Sequence, residues 1–440
     1  MAVFGDRPLK VLALAVALLL IGVDARADTV SPWGALSGLD QPSYLSPSPL
    51  DSKNPLTHRS REYSGIAVSD WLLYPEFLLG AVYNDNLLQT QTHRTAGLGA
   101  RLQADVTGVR DAGLSRTTVF GRADAYLYPD HGRENTYDGQ IGVAQIWALQ
   151  SDLTVKAQIE FDQASYLTFG GLVATPAGGA ATLIAPQNYQ QVQSSAAVQK
   201  SFGRYFVGVS LSEAATAYDS LSTSAGSFSQ SYRNDSVTTL TERAGYWLTP
   251  LIYGYGEAAE NWRQYVNDPF TSHGYRTVAG LGSDRISLFR GEIFAGYQEQ
   301  FYQSAQLGAA RSPVLGGKLY WYPTRAWTLS ASLDETFGAA NNPTPSNPLG
   351  DPARIMAAKL TAQYQLGRLW SAQGLAEYDV SRYLGIGRVD DTFVTGVSVN
   401  REIARNFNVN VDYKLLLNRS NAAGSSFINN ILGGSAVYKF

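Results

Sequence analysis

The chain has 440 residues, of which only 16% are charged and 12% are aromatic, and its formal net charge is −3. Soluble domains carry about 25% charged residues, so this composition is too poor in charge for an ordinary soluble surface, and it is too polar for a bundle of membrane helices. The weak negative charge offers no basic face, which excludes a nucleic-acid partner. The sequence contains no cysteine, so neither disulfides nor a thiol nucleophile contribute.

Residues 1–27 are predicted to form a secretory signal peptide. Arg7 and Lys10 supply a positive start, "VLALAVALLLIGV" an apolar core, and "ARA" a cleavage site after Ala27. The apolar run is shorter than the roughly 18 residues that a spanning helix needs. We therefore expect an exported chain. With no second apolar run of spanning length, it is either free outside the cytoplasm or crosses a membrane as a closed β-barrel.

Residues 28–70 are predicted to form a flexible, proline-rich periplasmic extension. The prolines are Pro32, Pro42, Pro47, Pro49 and Pro55. Prolines at this density do not fit a central strand or a helix interior. The alternative is that this segment folds into the lumen of the domain that follows, which we place at residues 71–440.

From about residue 74 onward, apolar and polar residues alternate with a period of two, as in "LGARLQADVTG" (97–107) and "LTVKAQIEFD" (153–162). This period is typical of β-strands. The runs between turn signals number about 18, the first at 74–88 and the last at 427–440, and merging one hairpin would make the number 16. A soluble antiparallel sheet with one wet face would show the same alternation.

The connections between these runs alternate in length. Tight links such as 149–152 and 201–204 take turns with long ones such as 168–188 and 338–354. Short periplasmic turns and longer extracellular loops are typical of outer-membrane barrels. The sequence therefore predicts an all-β fold, a transmembrane antiparallel up-and-down β-barrel in the bacterial outer membrane, in contact with its lipid. Aromatic residues near the predicted strand ends are expected to form girdles at the two membrane interfaces.

The polar faces of the predicted strands would line a wet lumen. The candidate pore-lining residues are Arg101, Gln103, Asp105, Arg122, Asp124, Lys156, Gln158, Glu160, Asp162, Arg290, Glu292, Lys359, Gln363, Glu377, Asp379, Asp412 and Lys414. Because both signs are mixed, no single-sign ring of the kind that selects ions can be assembled. Each charge also fits a plain cross-strand pair that keeps the wall solvated.

No constellation in the sequence predicts an enzyme. The four histidines, His58, His93, His131 and His273, lie in the extension or in or near predicted loops, outside any catalytic motif that we recognise. Neither a nucleophile elbow nor metal-ligand spacing is present, so we expect no catalytic residue, no metal and no cofactor. The remaining class is an adhesin that acts through a loop such as 168–188.

The chain ends in "SAVYKF" (435–440), a strand-like alternation with an aromatic as its last residue. In a barrel this strand must pair with the first one so that no edge is left in hydrocarbon. Phe440 and Tyr438 would then face the lipid or the interface. A terminal aromatic of this kind resembles the signal that barrel-insertion machinery recognises, so we predict that Phe440 and Tyr438 are the assembly signal.

The stretch "GIAVSDWLLYPEFLLGAVYNDNLLQTQ" (65–91) resembles the opening of the putative beta-barrel porin family associated with exopolysaccharide gene clusters. The matching positions are Leu73, Pro75, Leu79, Tyr83, Asp85 and Asn86, while Asn84 departs from the acid usual in the family. The resemblance implies an outer-membrane channel that takes part in export of a secreted exopolysaccharide, together with a periplasmic polysaccharide export protein. The alternative is a general or sugar-type porin for passive diffusion of small solutes.

Overall fold

The computed structural model describes residues 65–166, 172–174, 180–266, 270–286, 288–304, 307–340 and 351–440. The predicted signal peptide and most of the predicted extension lie outside the described residues, as does much of the loop at 168–188. In the described part of the chain, no helix has both the length and the hydropathy needed to cross a membrane.

Eighteen antiparallel strands form one closed barrel, which confirms the predicted fold class and the larger of the two predicted strand numbers. In chain order the strands are β1 (Trp71–Asn84), β2 (Gly97–Ala112), β3 (Ser115–Leu127), β4 (Thr136–Gln150), β5 (Leu153–Tyr166), β6 (Gln187–Phe202), β7 (Tyr205–Tyr218), β8 (Asp235–Trp247), β9 (Ile252–Tyr265), β10 (Ser272–Ile286), β11 (Phe289–Tyr302), β12 (Ala309–Trp321), β13 (Trp327–Ala340), β14 (Asp351–Leu366), β15 (Trp370–Tyr383), β16 (Val389–Ala404), β17 (Phe407–Ser420) and β18 (Phe427–Lys439). Each strand pairs with the next in sequence, and β18 pairs with β1 from Glu76↔Lys439 to Asn84↔Ile431.

The two faces of the wall follow the alternation in the sequence. On β2, Leu98, Leu102 and Val106 are 69%, 43% and 42% exposed and point outward, while Arg101 and Asp105 point into the barrel. An apolar face that is exposed on a folded chain fits a solvent that is itself apolar. The outer face is therefore the lipid-facing surface of an outer-membrane barrel.

The connections at the two ends of the barrel differ in length, as predicted. The turn end carries the links 113–114, 151–152, 203–204, 248–251, 287–288, 322–326, 367–369 and 405–406. The loop end carries the connections 85–96, 128–135, 167–186, 219–234, 266–271, 303–308, 341–350, 384–388 and 421–426. By the pattern of outer-membrane barrels, the turn end is periplasmic and the loop end is extracellular.

Outward-facing rings form a girdle at the turn end. The pairs are Tyr205 with Tyr246 (ring centroids 4.8 Å apart), Phe289 with Trp321 (5.7 Å) and Trp327 with Tyr364 (4.4 Å). The expectation of interfacial girdles is wrong for six aromatic residues near strand ends, because the register turns them to the inner face. These are Tyr74, Tyr126, Tyr218, Trp247, Tyr265 and Tyr383.

The first strand starts and ends earlier than its predicted span of 74–88, since it covers Trp71–Asn84. A short strand, Ile66–Val68, pairs with its first residues and lies within the segment that was predicted to be extension. The strand ends at Asn84 because the Asn84 side chain accepts a hydrogen bond from the Asn86 backbone N–H (2.9 Å), which turns the chain out of the ladder.

The ladder between β12 and β13 is incomplete. These strands pair only from Gly317↔Leu333 to Trp321↔Leu329, near the turn end, although β12 begins at Ala309 and β13 continues to Ala340. β13 pairs with β14 along its whole length, from Trp327↔Tyr364 to Ala340↔Asp351, so the ladder with β14 alone holds its loop-end half.

Candidate functional site

The inner face of the wall brings together every predicted pore-lining residue. Cross-strand register places them on β2 (Arg101, Gln103, Asp105), β3 (Arg122, Asp124), β5 (Lys156, Gln158, Glu160, Asp162), β11 (Arg290, Glu292), β14 (Lys359, Gln363), β15 (Glu377, Asp379) and β17 (Asp412, Lys414). The alternation of each strand fixes this position, since a one-residue slip would turn the whole set outward. Contact with a passing solute remains a prediction for each of them.

In one sector of the inner wall, the arginines of β2 and β3 pair with carboxylates of the same two strands. The Arg101 guanidinium donates to both oxygens of Asp124, with Nη2 2.6 Å and Nε 3.1 Å from the carboxylate, and lies 5.1 Å from the centre of the Tyr126 ring. Arg122 makes an ion pair with Asp105 across the same two strands. These charge-assisted pairs hold the side chains against the wall, so the four charges of Arg101, Arg122, Asp105 and Asp124 balance.

Neutral amides continue this sector over β4 to β6. Gln158 Nε2 donates to Glu160 (2.9 Å), and Gln140 donates to the same carboxylate. On β6, Gln193 Nε2 donates to Gln191 Oε1 (2.6 Å). The sequence reasoning did not select Gln140, Gln191 or Gln193, although the alternation of their strands would have placed them on the polar face.

A second sector, on β7 to β11, is aromatic. Phe206, Tyr253, Tyr255 and Phe294 belong to one packed cluster on the inner face. Glycines stand opposite the rings: a Cβ at Gly245 would lie 2.1 Å from the Phe206 ring. The rings can therefore lean over the glycines of the neighbouring strands, and they pack edge to face, with 86° between the Phe206 and Tyr253 ring planes. The sequence reasoning missed this surface. The signal that could have found it is the glycine in the facing strand.

Arg243 on β8 lies at the centre of the aromatic sector. Its guanidinium is 3.6 Å from the centre of the Tyr255 ring, and Nη2 is 2.8 Å from Glu292, which also accepts a hydrogen bond from the Tyr253 hydroxyl (2.6 Å). The side chain is only 3% exposed. A buried guanidinium between a ring face and a carboxylate is a fixed part of the wall. Arg243 was not among the predicted residues, although its predicted partner Glu292 was.

A third sector, on β14 to β17, carries residues of opposite charge at neighbouring positions of the inner face. Lys359 stands opposite Glu377, and Gln363 stands opposite Gln373. Asp412 and Lys414 are neighbours on the same face of β17. The three sectors therefore combine paired arginines, amides and aromatic rings with neighbouring carboxylates such as Glu160 and Asp162, and none presents a ring of one sign.

The histidines do not assemble a catalytic group in the described residues. His273 lies on the outer face and stacks on Phe301, with ring centroids 5.2 Å apart. His131 lies in the loop-end connection after β3. Within the described ranges, no three His, Asp or Glu side chains come together in a group that could hold a metal ion.

The segment that carries the family resemblance fastens the first strand to the last. Asp85 accepts hydrogen bonds from the Asn430 backbone N–H (2.7 Å) and side-chain amide (2.6 Å). The Asn86 amide donates to the carbonyl oxygens of Thr90 (2.8 Å) and Ile428 (2.9 Å). These contacts give Asp85 and Asn86 a structural role at the seam between β1 and β18.

The predicted assembly residues lie at the turn end of the same seam. Phe440 and Tyr438 face outward, with ring centroids 4.9 Å apart, and the Phe440 ring lies 5.9 Å from that of Phe77 on β1. The Phe440 backbone N–H donates to the Pro75 carbonyl oxygen (3.1 Å). Recognition of this end by insertion machinery stays a prediction.

Comparison with known proteins gives one family match. The model of the family described as "Putative beta-barrel porin 2" matches residues 60–440. In the sequence comparison, no protein with curated annotation matches this chain.

Several solved structures are similar in fold at low identity. The FrpB iron transporter (F3-3 variant) of Neisseria meningitidis is 8% identical with a TM-score of 0.42, and the match covers 82% of this chain and 64% of that one. The siderophore receptor PirA of Pseudomonas aeruginosa is 8% identical with a TM-score of 0.42, and coverage is 84% of this chain and 80% of that one. The copper transporter OprC is 10% identical with a TM-score of 0.43, and coverage is 86% and 82%.

Proposed function

The chain belongs to the Putative beta-barrel porin 2 family, and from this membership and the chemistry of its lumen we propose that it is a passive channel for a neutral, polyhydroxylated polymer, a secreted exopolysaccharide on its way out of the cell. The observation that carries the proposal is the inner wall. Arginines such as Arg101 and Arg243 are paired with carboxylates, and amide groups and half-buried aromatic rings lie between these pairs.

A sugar chain offers hydroxyl groups and apolar ring faces, and it carries little or no charge. Amides such as Gln158 and Gln193 can exchange hydrogen bonds with hydroxyl groups at little net cost. Half-buried rings at the edge of the aromatic sector, such as Trp247 and Phe294, can contact the apolar face of a sugar ring. Because Asp124 and Glu292 hold Arg101 and Arg243, these two guanidinium groups are not free to bind a passing chain.

In this proposal the barrel lies in outer-membrane lipid and reaches it through the barrel-insertion machinery. A periplasmic polysaccharide export protein delivers the chain to the turn end. The protein performs no reaction and needs no cofactor, since passage through a wall of this kind is diffusion of the cargo. The runner-up function is a porin for small solutes, which the description of the family favours.

A planar-bilayer experiment separates the two functions. Neutral oligosaccharides of increasing length, added to the turn end, are expected to interrupt the ionic current for times that grow with chain length, since each added sugar adds wall contacts. An acidic oligosaccharide of equal length serves as the matched probe and is expected to cause fewer interruptions. If neutral chains leave the current unchanged while small sugars permeate in a liposome-swelling assay, the small-solute porin is the correct function.

A deletion strain tests the same proposal in the cell. Loss of the gene is expected to remove the extracellular polymer and to leave growth on small sugars unchanged. Complementation with Gln193→Ala, which changes a wall amide, is compared with complementation with Gln91→Ala, which changes an exposed residue of a loop. Normal extracellular polymer in the deletion strain would contradict export.

A further inference from the structure

The loop-end half of β13 has left the barrel wall and lies over the inner face of the strands before it. In the complete part of the ladder, each pair of residue numbers on β12 and β13 adds to the same sum, as in Gly317↔Leu333 and Lys318↔Ser332. Continued toward the loop end, this register would pair Gly316 with Asp334 and Ser312 with Gly338. The described structure contains none of these pairs.

The position of Asp334 shows where the strand has gone. Arg276 on β10, Gln298 on β11 and Ser312 on β12 stand in line across the wall. In a complete ladder, Gly338 would continue this line, about 14 Å from Arg276 across three strand spacings, and Asp334 would lie about 13 Å further along its strand. Instead, Arg276 Nη2 is 2.6 Å from Asp334 Oδ1. The strand must cross the inner face of β11 and β12 to make this contact.

Glu335 fastens the displaced strand to the wall. Its carboxylate accepts hydrogen bonds from the Ser312 hydroxyl on β12 and from Gln298 Nε2 on β11 (3.4 Å), and it makes an ion pair with Arg354 of β14 (2.6 Å). Ser312, Gln298 and Val314 are buried although the register points them into the lumen. The displaced strand end covers them, so we name residues 334–338 the tucked segment.

The sequence of β12 fits a strand whose edge is unpaired toward the loop end. Pro313 lies in the middle of the unpaired part of β12, and proline has no backbone N–H to give to a ladder. Within sheets it is confined to edge strands, strand starts and bulges. In the continued register, Glu335 would stand opposite Leu315, which is exposed on the lipid-facing side. A carboxylate there is unfavourable, so both residues favour the tucked position over the complete ladder.

The unpaired edge of β12, in contrast, favours the complete ladder over the tucked position. Backbone N–H and C=O groups that face hydrocarbon without partners cost free energy, and the nearest groups able to satisfy them belong to the tucked segment itself. Two arrangements of one hairpin therefore compete. One keeps the ion pairs in the lumen, and the other completes the wall.

We propose that the tucked segment, together with residues 353–357 of β14 that pair with it, is a gate that moves between the tucked position and a zipped position in which residues 334–338 pair with residues 312–316 of β12. In the tucked position these two strand segments occupy part of the lumen. In the zipped position they return to the wall and the lumen is wider. The proposal concerns the width of the channel and holds for whichever solute passes.

Disulfides test the gate cleanly because the chain has no cysteine of its own. The double variant Val314→Cys with Thr336→Cys joins two positions that face each other only in the zipped register. The matched control is Leu319→Cys with Ala331→Cys, a pair that already stands in the ladder of the same two strands. Both variants are expressed in the outer membrane, oxidised, and scored by gel mobility before and after reduction with dithiothreitol.

Both pairs are expected to cross-link. In planar bilayers, the oxidised Val314/Thr336 variant is expected to show a conductance roughly twofold above that of its reduced form, because the lumen gains the space of the hairpin end. The control pair is expected to show no change on reduction. The gate is refuted if the control pair cross-links and the Val314/Thr336 pair does not. It is also refuted if the cross-linked variant conducts like its reduced form.

A second variant shifts the equilibrium between the tucked and zipped positions without a cross-link. Glu335→Leu with Pro313→Val removes the carboxylate that holds the tucked segment and restores a backbone donor in β12. Its conductance is expected to rise toward the oxidised value, while Glu335→Gln, which keeps the hydrogen bonds to Ser312 and Gln298, is expected to change it less. Equal conductance in the wild-type chain and the double variant would contradict the roles given to Glu335 and Pro313.

Discussion

The Asn86 side chain is expected to contribute more to the stability of the barrel than any exposed residue of its loop. It is fully buried at 0% exposure. Its amide donates to the carbonyl oxygens of Thr90 and Ile428, and its own carbonyl oxygen accepts a hydrogen bond from the Thr90 backbone N–H (3.0 Å). Truncation to alanine removes these three hydrogen bonds and a fourth from the Thr90 hydroxyl (3.3 Å), and it leaves partly buried backbone groups without a partner.

Each such bond contributes about 1 kcal/mol, and each buried group left without a partner adds a further penalty, so Asn86→Ala is expected to lower the free energy of unfolding by about 3–5 kcal/mol. Asn86→Asp is expected to destabilise at least as much, because a carboxylate would face two carbonyl oxygens. The control Gln91→Ala changes an exposed side chain of the same loop and is expected to stay within about 0.5 kcal/mol of wild type.

The measurement is urea unfolding of the barrel refolded in lipid vesicles, followed by tryptophan fluorescence and by heat-modifiable mobility on gels. The wild-type chain, Asn86→Ala, Asn86→Asp and Gln91→Ala are compared at one pH and in one lipid. A loss below about 1 kcal/mol for Asn86→Ala would refute the reasoning, because a single net hydrogen bond would then account for the whole residue.

Further predictions concern the chain end, the lumen and one turn. Deleting Phe440 is expected to lower the fraction of heat-modifiable barrel in the outer membrane, whereas Lys439→Gln, which changes the neighbouring inward residue, leaves it near wild type. Arg243→Met leaves two luminal carboxylates uncompensated. In a salt gradient, its reversal potential is expected to move toward cation selectivity. The hydrogen bond from Lys200 holds the pKa of the Asp152 carboxyl below its usual value. Its contribution to stability is therefore present above the unfolded-state pKa and is lost as the pH falls through the folded-state pKa. Asp152→Asn is expected to be less stable than wild type at neutral pH and equal to it in acid.

The alternation of the sequence predicts the wall well because each strand faces two solvents of opposite polarity. On β2, Leu98 faces lipid and Arg101 faces the lumen, and only one strand register achieves both. The residue types therefore predict both the β-strand periodicity and the side of the wall on which each residue lies. The loops were predicted for a related reason, since their Gly, Ser, Asn and Pro residues interrupt the period. The displaced hairpin end could not be predicted in this way. Asp334 and Glu335 read as ordinary strand residues, and only contacts with distant strands reveal their position.

Two other features were missed because they become visible only when neighbouring strands are compared. The end of β1 is set by the Asn84 and Asn86 side chains, while the alternation itself continues into "NDNLL". The aromatic sector needs a ring on one strand and a glycine on the next, as with Phe206 and Gly245. Single-strand patterns contain neither piece of information. Pro313 is the exception, because a proline inside a strand pattern already indicates an edge or a bulge.

The fastening between Asp85 and Asn430 also bears on the order in which the barrel forms. The two residues are 345 positions apart, and bringing ends so distant together costs about 5 kcal/mol of chain entropy if nothing between them is yet folded. Hairpins between neighbouring strands form at far lower cost, so the β1–β18 contact is made when the other strands have already shortened the gap. Substitutions at Asp85 and Asn86 should then accumulate an unclosed sheet with seventeen formed hairpin contacts, a species that a protease can distinguish from an unfolded chain.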